Sequence, residues 1–337
     1  MMKLRKLLTT ATAALIVAPV LAFATPASAN TDSHTEAHHH SMQRDTSLPS
    51  VSTGVSVRVG NGTVEAGDRG VSGSHVDTTG NLIKTIALPA VKKNFAQLAH
   101  SVPQVNDPTY KVILFSTKDT YRNALANAGV PSASINNLVE NTGGITDGTR
   151  IWIPIYAFNN KANYVHYLAH EITHTVLHQA GLEAKLPVWL QEGISVYNGF
   201  TAQAEVDPAG ARELMGKFKQ DLREHKAAGG VFSLQASQEQ LLNAEYNVEA
   251  LYSMAVNKLI KHGGVEGINK LLINLKSHGI VTSFQSAYGH SIYDFESRFL
   301  SRVNGSSYTL EQDIVNYYDN TLEVDLIIFN PGWRVSW

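Results

Sequence analysis

The chain has 337 residues, 27 Lys and Arg against 29 Asp and Glu, and no cysteine. A chain of that length buries a large core without covalent staples. The missing cysteine excludes disulfides, a thiol nucleophile, a thiolate metal site and attachment through a lipidated cysteine.

The first 29 residues read as a leader. Lys3, Arg5 and Lys6 precede an apolar stretch broken by Pro19, and Ala27-Ser28-Ala29 forms a small-x-small cleavage pattern. Met1–Ala29 is therefore expected to be a secretory signal peptide, and the mature protein to be secreted without stable membrane insertion. Its removal takes away three basic charges and no acidic one. That leaves 24 basic residues against 29 acidic and a net charge of −5. A mildly acidic chain is a poor partner for nucleic acid or an anionic membrane.

Residues 30–50 are polar and contain His34, His38, His39 and His40, which predicts a solvated, disordered tail. Residues 51–105 form a further region, expected to be β-rich. Val55-Ser56-Val57-Arg58-Val59 alternates, and Gly, Ser, Thr and Asp fill the rest up to residue 86, predicting short strands and turns. A helix is predicted over Pro89–His100, with proline at its first position. The β-branched apolar run Lys111–Ser116 predicts a buried strand, and Lys118–Ala128 a helix stopped by Gly129 and Pro131. Asn141–Gly148 is turn-rich. Thr149–Ile155 (TRIWIPI) then predicts a strand, with Pro154 marking it as an edge.

From Lys161 the pattern turns helical. Helices are predicted over Lys161–Ala180, Pro187–Asn198, Pro208–Ala228, Asn247–His262 and Val265–His278, most of them closed by glycine. A last one, opened by Ser291-x-x-Asp294, runs to about Val303. Residues 106–305 form the expected catalytic domain and residues 306–337 a small β-rich appendage. The expected class is α+β: a small mixed β-sheet with an edge strand packed on the helix that carries His170, followed by a mostly helical C-terminal part.

That helix carries the chemistry. In His170-Glu171-Ile172-Thr173-His174 the two histidines are four residues apart, about 40° around the helix and one turn along. Two imidazoles so placed reach one tetrahedral Zn²⁺. Glu171 stands where its carboxylate takes a proton from a metal-activated water, as a general base. The third ligand is expected to be Glu192, 18 residues after His174 in Leu186-Pro-Val-Trp-Leu-Gln-Glu192-Gly-Ile. A helical hairpin turning near Gly181 brings it back to the metal. Its neighbours Trp189, Leu190 and Ile194 are apolar, so an acid in that stripe requires a partner. His166 and His178 extend the four-residue spacing. One helix cannot aim four residues spread over three turns at one ion, so both are assigned to packing or to support of the ligands.

HEITH followed by PVWLQEG resembles the gluzincin metallopeptidases, and most closely the compact bacterial peptidase MA-like domains, which share a catalytic core with thermolysin and the alanyl aminopeptidases. KVILFS, Gly143-Gly144, IWIPI, HEITH and PVWLQEG follow that family's order, and the likeness covers roughly residues 110–302. The resemblance implies a zincin-like fold and one catalytic zinc. It also implies Tyr252, in Tyr252-Ser-Met-Ala255, as hydrogen-bond donor to a tetrahedral oxyanion. It directs attention to His290 as the one late histidine candidate for a further catalytic role. The chain departs from the aminopeptidases in the loop Gly143–Gly148, which lacks the glutamate that holds a substrate's free amine; Asp147 is its only acid. The expectation is a zinc metalloendopeptidase acting on peptide or protein, with an extended substrate paired against the strand around Ile151–Ile155. Two other readings stand beside it: an inert protein that keeps zinc for stability, and a non-peptidase hydrolase of cell-envelope material.

Overall fold

Five strands form one sheet in the order β1-β2-β3-β5-β4: β1 (Ser56–Val59), β2 (Gly62–Ala66), β3 (Lys111–Phe115), β4 (Ile145–Thr146) and β5 (Arg150–Pro154). The computed structural model describes residues 54–234 and 246–304. The expected leader, the tail 30–50 and the appendage 306–337 lie outside these. The β1–β2 hairpin is antiparallel, β2–β3 and β3–β5 are parallel, and β4 returns antiparallel to β5. The sheet is mixed and most of the remainder is helix, so the protein is α+β as its sequence predicts.

The strands alternate between two cores. Val112, Leu114, Ile151 and Ile153 face the main helical layer, whereas Phe115 and Trp152 join a smaller cluster with Tyr121, Leu125, Ile135 and Leu138. That smaller cluster is built by α4 (Lys118–Asn127) and α5 (Ser132–Asn141), after a first helical crossover of α1 (Gly73–Leu82), α2 (Leu88–Asn94) and α3 (Ala96–Ser101). Both faces of the sheet are thus buried, which explains the continuous apolar run of β3.

Three expectations change here. Residues 73–101 are helical where strands, turns and a shorter helix were predicted, so the 51–105 region is not β-rich beyond its first hairpin. Buried Val76, Thr79, Gly80, Ile83 and Ala87 do recur at helical spacing. Three of them are small or polar, with Gly80 packed against Val57 and Val59 of β1 and Thr79 bonded to the Tyr164 hydroxyl, and that hides the periodicity. The β5 strand is also not the edge. Two-residue β4 lies outside it and pairs with Ile151 and Trp152 only, so Pro154 falls beyond the reach of β4 and costs no bond on that side. Helices α5 and α10 (Ile280–Tyr288) fall in segments to which the sequence pattern assigns no element.

The main layer holds α6 (Lys161–Gln179), α7 (Val188–Val206), α8 (Pro208–Ala227), α9 (Val248–Leu275), α10 and α11 (Ile292–Asn304). The helix α7 runs past Asn198, because Gly199 sits against the His166 ring inside the core and does not end it. The long α9 joins the two helices predicted on either side of Gly263-Gly264, with non-helical backbone at Gly264. Buried amides lock the layer: Asn94 Nδ2 donates to Asn198 Oδ1 at 2.7 Å, Asn198 Nδ2 to Thr173 Oγ1 at 3.0 Å, and Asn269 Nδ2 to the Asn94 carbonyl at 2.8 Å. No helix among the described residues is long and apolar enough to cross a membrane.

α7 and α9 pack tightly at Gly193, where a β-carbon would lie 2.6 Å from the Tyr252 carbonyl oxygen and 2.5 Å from Val256 Cγ2. Gly193→Ala is expected to lower stability by roughly 1–3 kcal/mol through forced separation of the two helices. Urea denaturation measures this, and an unchanged midpoint would show that the contact yields without cost.

Candidate metal centre

His170 and His174 lie one turn apart on the inner face of α6, and Glu192 comes from the second turn of α7, all three 0–2 % exposed. The connector Ala180–Pro187 folds α7 back along α6 and brings them together. His170 Nε2 and His174 Nε2 are 3.1 Å apart, and each is 3.4 Å from Glu192 Oε2. Among the described residues this group can hold a metal ion.

The donor spacing fits a small cation. Ligands at tetrahedral positions about 2.0–2.1 Å from one ion stand roughly 3.3–3.4 Å from each other. Two Nε2 atoms 3.1 Å apart require either a proton between them or a cation that takes both lone pairs. Both Glu192 carboxylate oxygens are buried with no hydrogen-bond partner, an expensive arrangement unless a positive charge supplies the balance. Nitrogen and carboxylate donors without thiolate suit a borderline divalent ion.

Charge and burial set the protonation states. Burial would raise the Glu192 carboxyl, but His174 and His170, each 3.4 Å away, outweigh it and bring it down to about 2. Burial opposes charge on His174, yet Glu192 and Glu183 hold its pKa well above the ordinary histidine value. Burial pushes the Glu171 carboxyl up to about 8, with His174 opposing and Glu192 and Glu183 adding to the shift. Glu171 Oε1 has no hydrogen-bond partner among the described residues. It faces Gly144 so closely that a β-carbon there would lie 3.2 Å away.

Tyr252 lies at the start of α9 and is fully buried, and its hydroxyl has no partner among the described residues. Burial first, then the charges of Tyr246 and Glu192, hold its proton on firmly. His166 is a packed histidine. Its Nδ1 meets Gln203 Oε1 at 3.2 Å, and burial, then proximity to His170, pushes its pKa down to about 3. Asp147 is spent on its own turn, accepting from the backbone N–H of Thr149 and Arg150 and from Arg150 Nε. It therefore offers no free carboxylate for a substrate amine. His290 stacks on Phe295 in a peripheral aromatic group and is not part of the metal cluster.

Sequence reasoning missed Glu183. It sits in a 3-10 turn between the two ligand helices, 1 % exposed, with Oε1 2.9 Å from His174 Nδ1 and Oε2 3.3 Å from His178 Nδ1. The available signal was slight: it is the only acid in the eight-residue connector.

No protein-family model matches the chain, and no curated protein is significantly similar to it. Function must therefore be argued from the geometry.

The carboxylates of Glu192 and Glu183 favour a proton on His174, so that proton competes with an ion for the ring. Apparent affinity for a divalent metal ion is expected to rise with pH, with net proton release. Calorimetry in buffers of different ionisation enthalpy measures the release; a buffer-independent heat would contradict the protonation scheme.

Proposed function

We propose that the protein is an exported zinc metallopeptidase of gluzincin type with a zincin-like fold, acting on peptide or protein substrates. The observation that carries this reading is the join of three ligand atoms at tetrahedral spacing with a buried Glu171 whose Oε1 has no hydrogen-bond partner among the described residues. Three protein donors leave a tetrahedral ion one open position, as catalytic sites require and closed structural sites lack. When bound, zinc supplies a lowered pKa for water and polarisation of a carbonyl oxygen. His170, His174 and Glu192 would hold it.

The remaining work falls to side chains of this chain. Glu171 accepts a proton from the attacking water and returns it to the nitrogen of the leaving amine. A bound cation beside Glu171 favours its ionised form and so counters the effect of burial. Tyr252 donates its phenol hydrogen to the substrate oxygen as negative charge gathers there. Its firmly held proton and lack of another acceptor suit that task.

An extended substrate pairs along β4 and the Gly143-Gly144 segment leading into it, which passes Glu171 at Gly144. This replaces the expected docking strand around Ile151–Ile155, which β4 partly covers. With Asp147 committed to its turn, the loop presents no acid for a free amine, which favours an endopeptidase. Export rests on Met1–Ala29, and the acidic balance gives nucleic acid no role.

Glu171→Gln is expected to bind zinc with near-native affinity while peptide hydrolysis falls by several orders of magnitude. Turnover of casein or a peptide library, with metal content measured in parallel, tests this, and full activity in the variant would remove Glu171 from the mechanism. Tyr252→Phe should lower kcat by about 10²–10³ with little change in KM. A zinc-loaded wild-type protein that cleaves no peptide, with or without chelator, would favour the structural or non-peptidase readings.

A further inference from the structure

The two metal-binding histidines are supported unequally. His170 Nδ1 is buried and has no hydrogen-bond partner among the described residues. His174 Nδ1 lies 2.9 Å from Glu183 Oε1, so the orientation of the pair depends on the His174 side. Glu183 is fixed in turn by its surroundings. Its turn is tied down by Gln191 Nε2, which donates to the Glu183 carbonyl at 3.0 Å and to the Leu186 carbonyl at 2.8 Å. Its second oxygen faces His178 Nδ1 at 3.3 Å. The His178 ring covers Gly148, where φ is +92° and a β-carbon would collide with the ring. Gly148 closes the turn at the end of β4, and its N–H donates to Thr146 Oγ1 at 3.0 Å. A continuous set of contacts therefore runs from His174 through Glu183 and His178 to the turn that ends the outer strand.

Resting on the reading of His170, His174 and Glu192 as a metal centre, we infer that Glu183 is a positioning residue for that centre, holding His174 with its proton on Nδ1 and its Nε2 lone pair toward the ion, and anchoring the β4–β5 turn through His178. A carboxylate on the outer nitrogen of a ligand imidazole fixes the tautomer and ring angle and raises ligand basicity. Here the same carboxylate also reaches, through His178, the turn that ends β4. The metal geometry and the placement of β4 are thus set by one side chain. His178 bears on β4 alone and does not touch the ion.

The test uses the full mature chain and zinc as the probe. Competition with a chromophoric chelator at fixed pH should show Glu183→Ala raising the zinc Kd about 10–100-fold. Glu183→Gln, whose amide oxygen still accepts from Nδ1–H, should lie between Ala and wild type. His178→Ala should leave the Kd near that of wild type while raising KM for peptide. Nitrogen-15 spectra of histidine-labelled wild-type protein with zinc should show His174 protonated at Nδ1, a readout that needs no variant to fold. A His174 protonated at Nε2, or folded Glu183 variants with native zinc affinity, would overturn the inference and leave the metal-centre reading standing. A wild-type protein that binds no zinc would overturn both.

Discussion

Three carboxylates and two imidazoles, those of Glu171, Glu183, Glu192, His170 and His174, are buried together, none more than 2 % exposed. Charge in such surroundings is costly unless it is paired and its geometry held. The sharing of the histidine nitrogens answers part of that demand, with Nδ1 of His174 facing Glu183 and Nε2 facing Glu192. Both oxygens of Glu192 and Oε1 of Glu171 have no hydrogen-bond partner among the described residues, and a metal ion held by His170, His174 and Glu192 could balance them. The packing of α6 against α7 is the scaffold that this arrangement imposes: both helices are buried along nearly their whole length, and polar side chains on both point inward.

Rigidity around the site comes from neutral polar groups. The Asn198–Thr173 bond crosses from α7 to α6 one residue before His174, and Asn94 extends it to the first crossover. Trp189, three residues before Glu192, donates its indole N–H to Glu296 at 2.7 Å and thereby ties the ligand helix to α11. Satisfied buried networks of this kind specify one packing among several of similar hydrophobic content. They hold the ligands still without adding charge near the ion.

Much of this was legible in the sequence, and the limits have physical causes. The ligand helix and the return of Glu192 could be read because helical spacing and a glycine stop act locally. The strand Lys111–Phe115 could be read because it is buried on both faces. The helix over residues 73–82 was hidden, since contact with β1 selects Gly80, and a hydrogen bond to Tyr164 selects Thr79, over large apolar residues. The outer strand was misplaced because two residues carry no alternation to detect. Glu183 was invisible for a different reason: its role arises from the fold of a connector, and no periodicity marks it. Tyr252 came only from a family resemblance; what the structure adds is its burial and its free hydroxyl.

The residues before the metal helix belong to the same cooperative unit as those after it. Asn269 Nδ2 reaches the carbonyl of Asn94 across 175 positions, and Asn269 Oδ1 accepts from the Leu98 N–H at 2.9 Å. Parallel pairing of β2 with β3 and of β3 with β5 likewise joins segments far apart in the chain. Closing such large loops costs entropy before the contacts repay it, so folding waits on nearly the whole polypeptide. The reverse holds as well: a core stitched end to end opens only as a whole, and few local openings expose its backbone. All-or-none opening of that kind gives slow unfolding and leaves few places where a protease can cut the native chain.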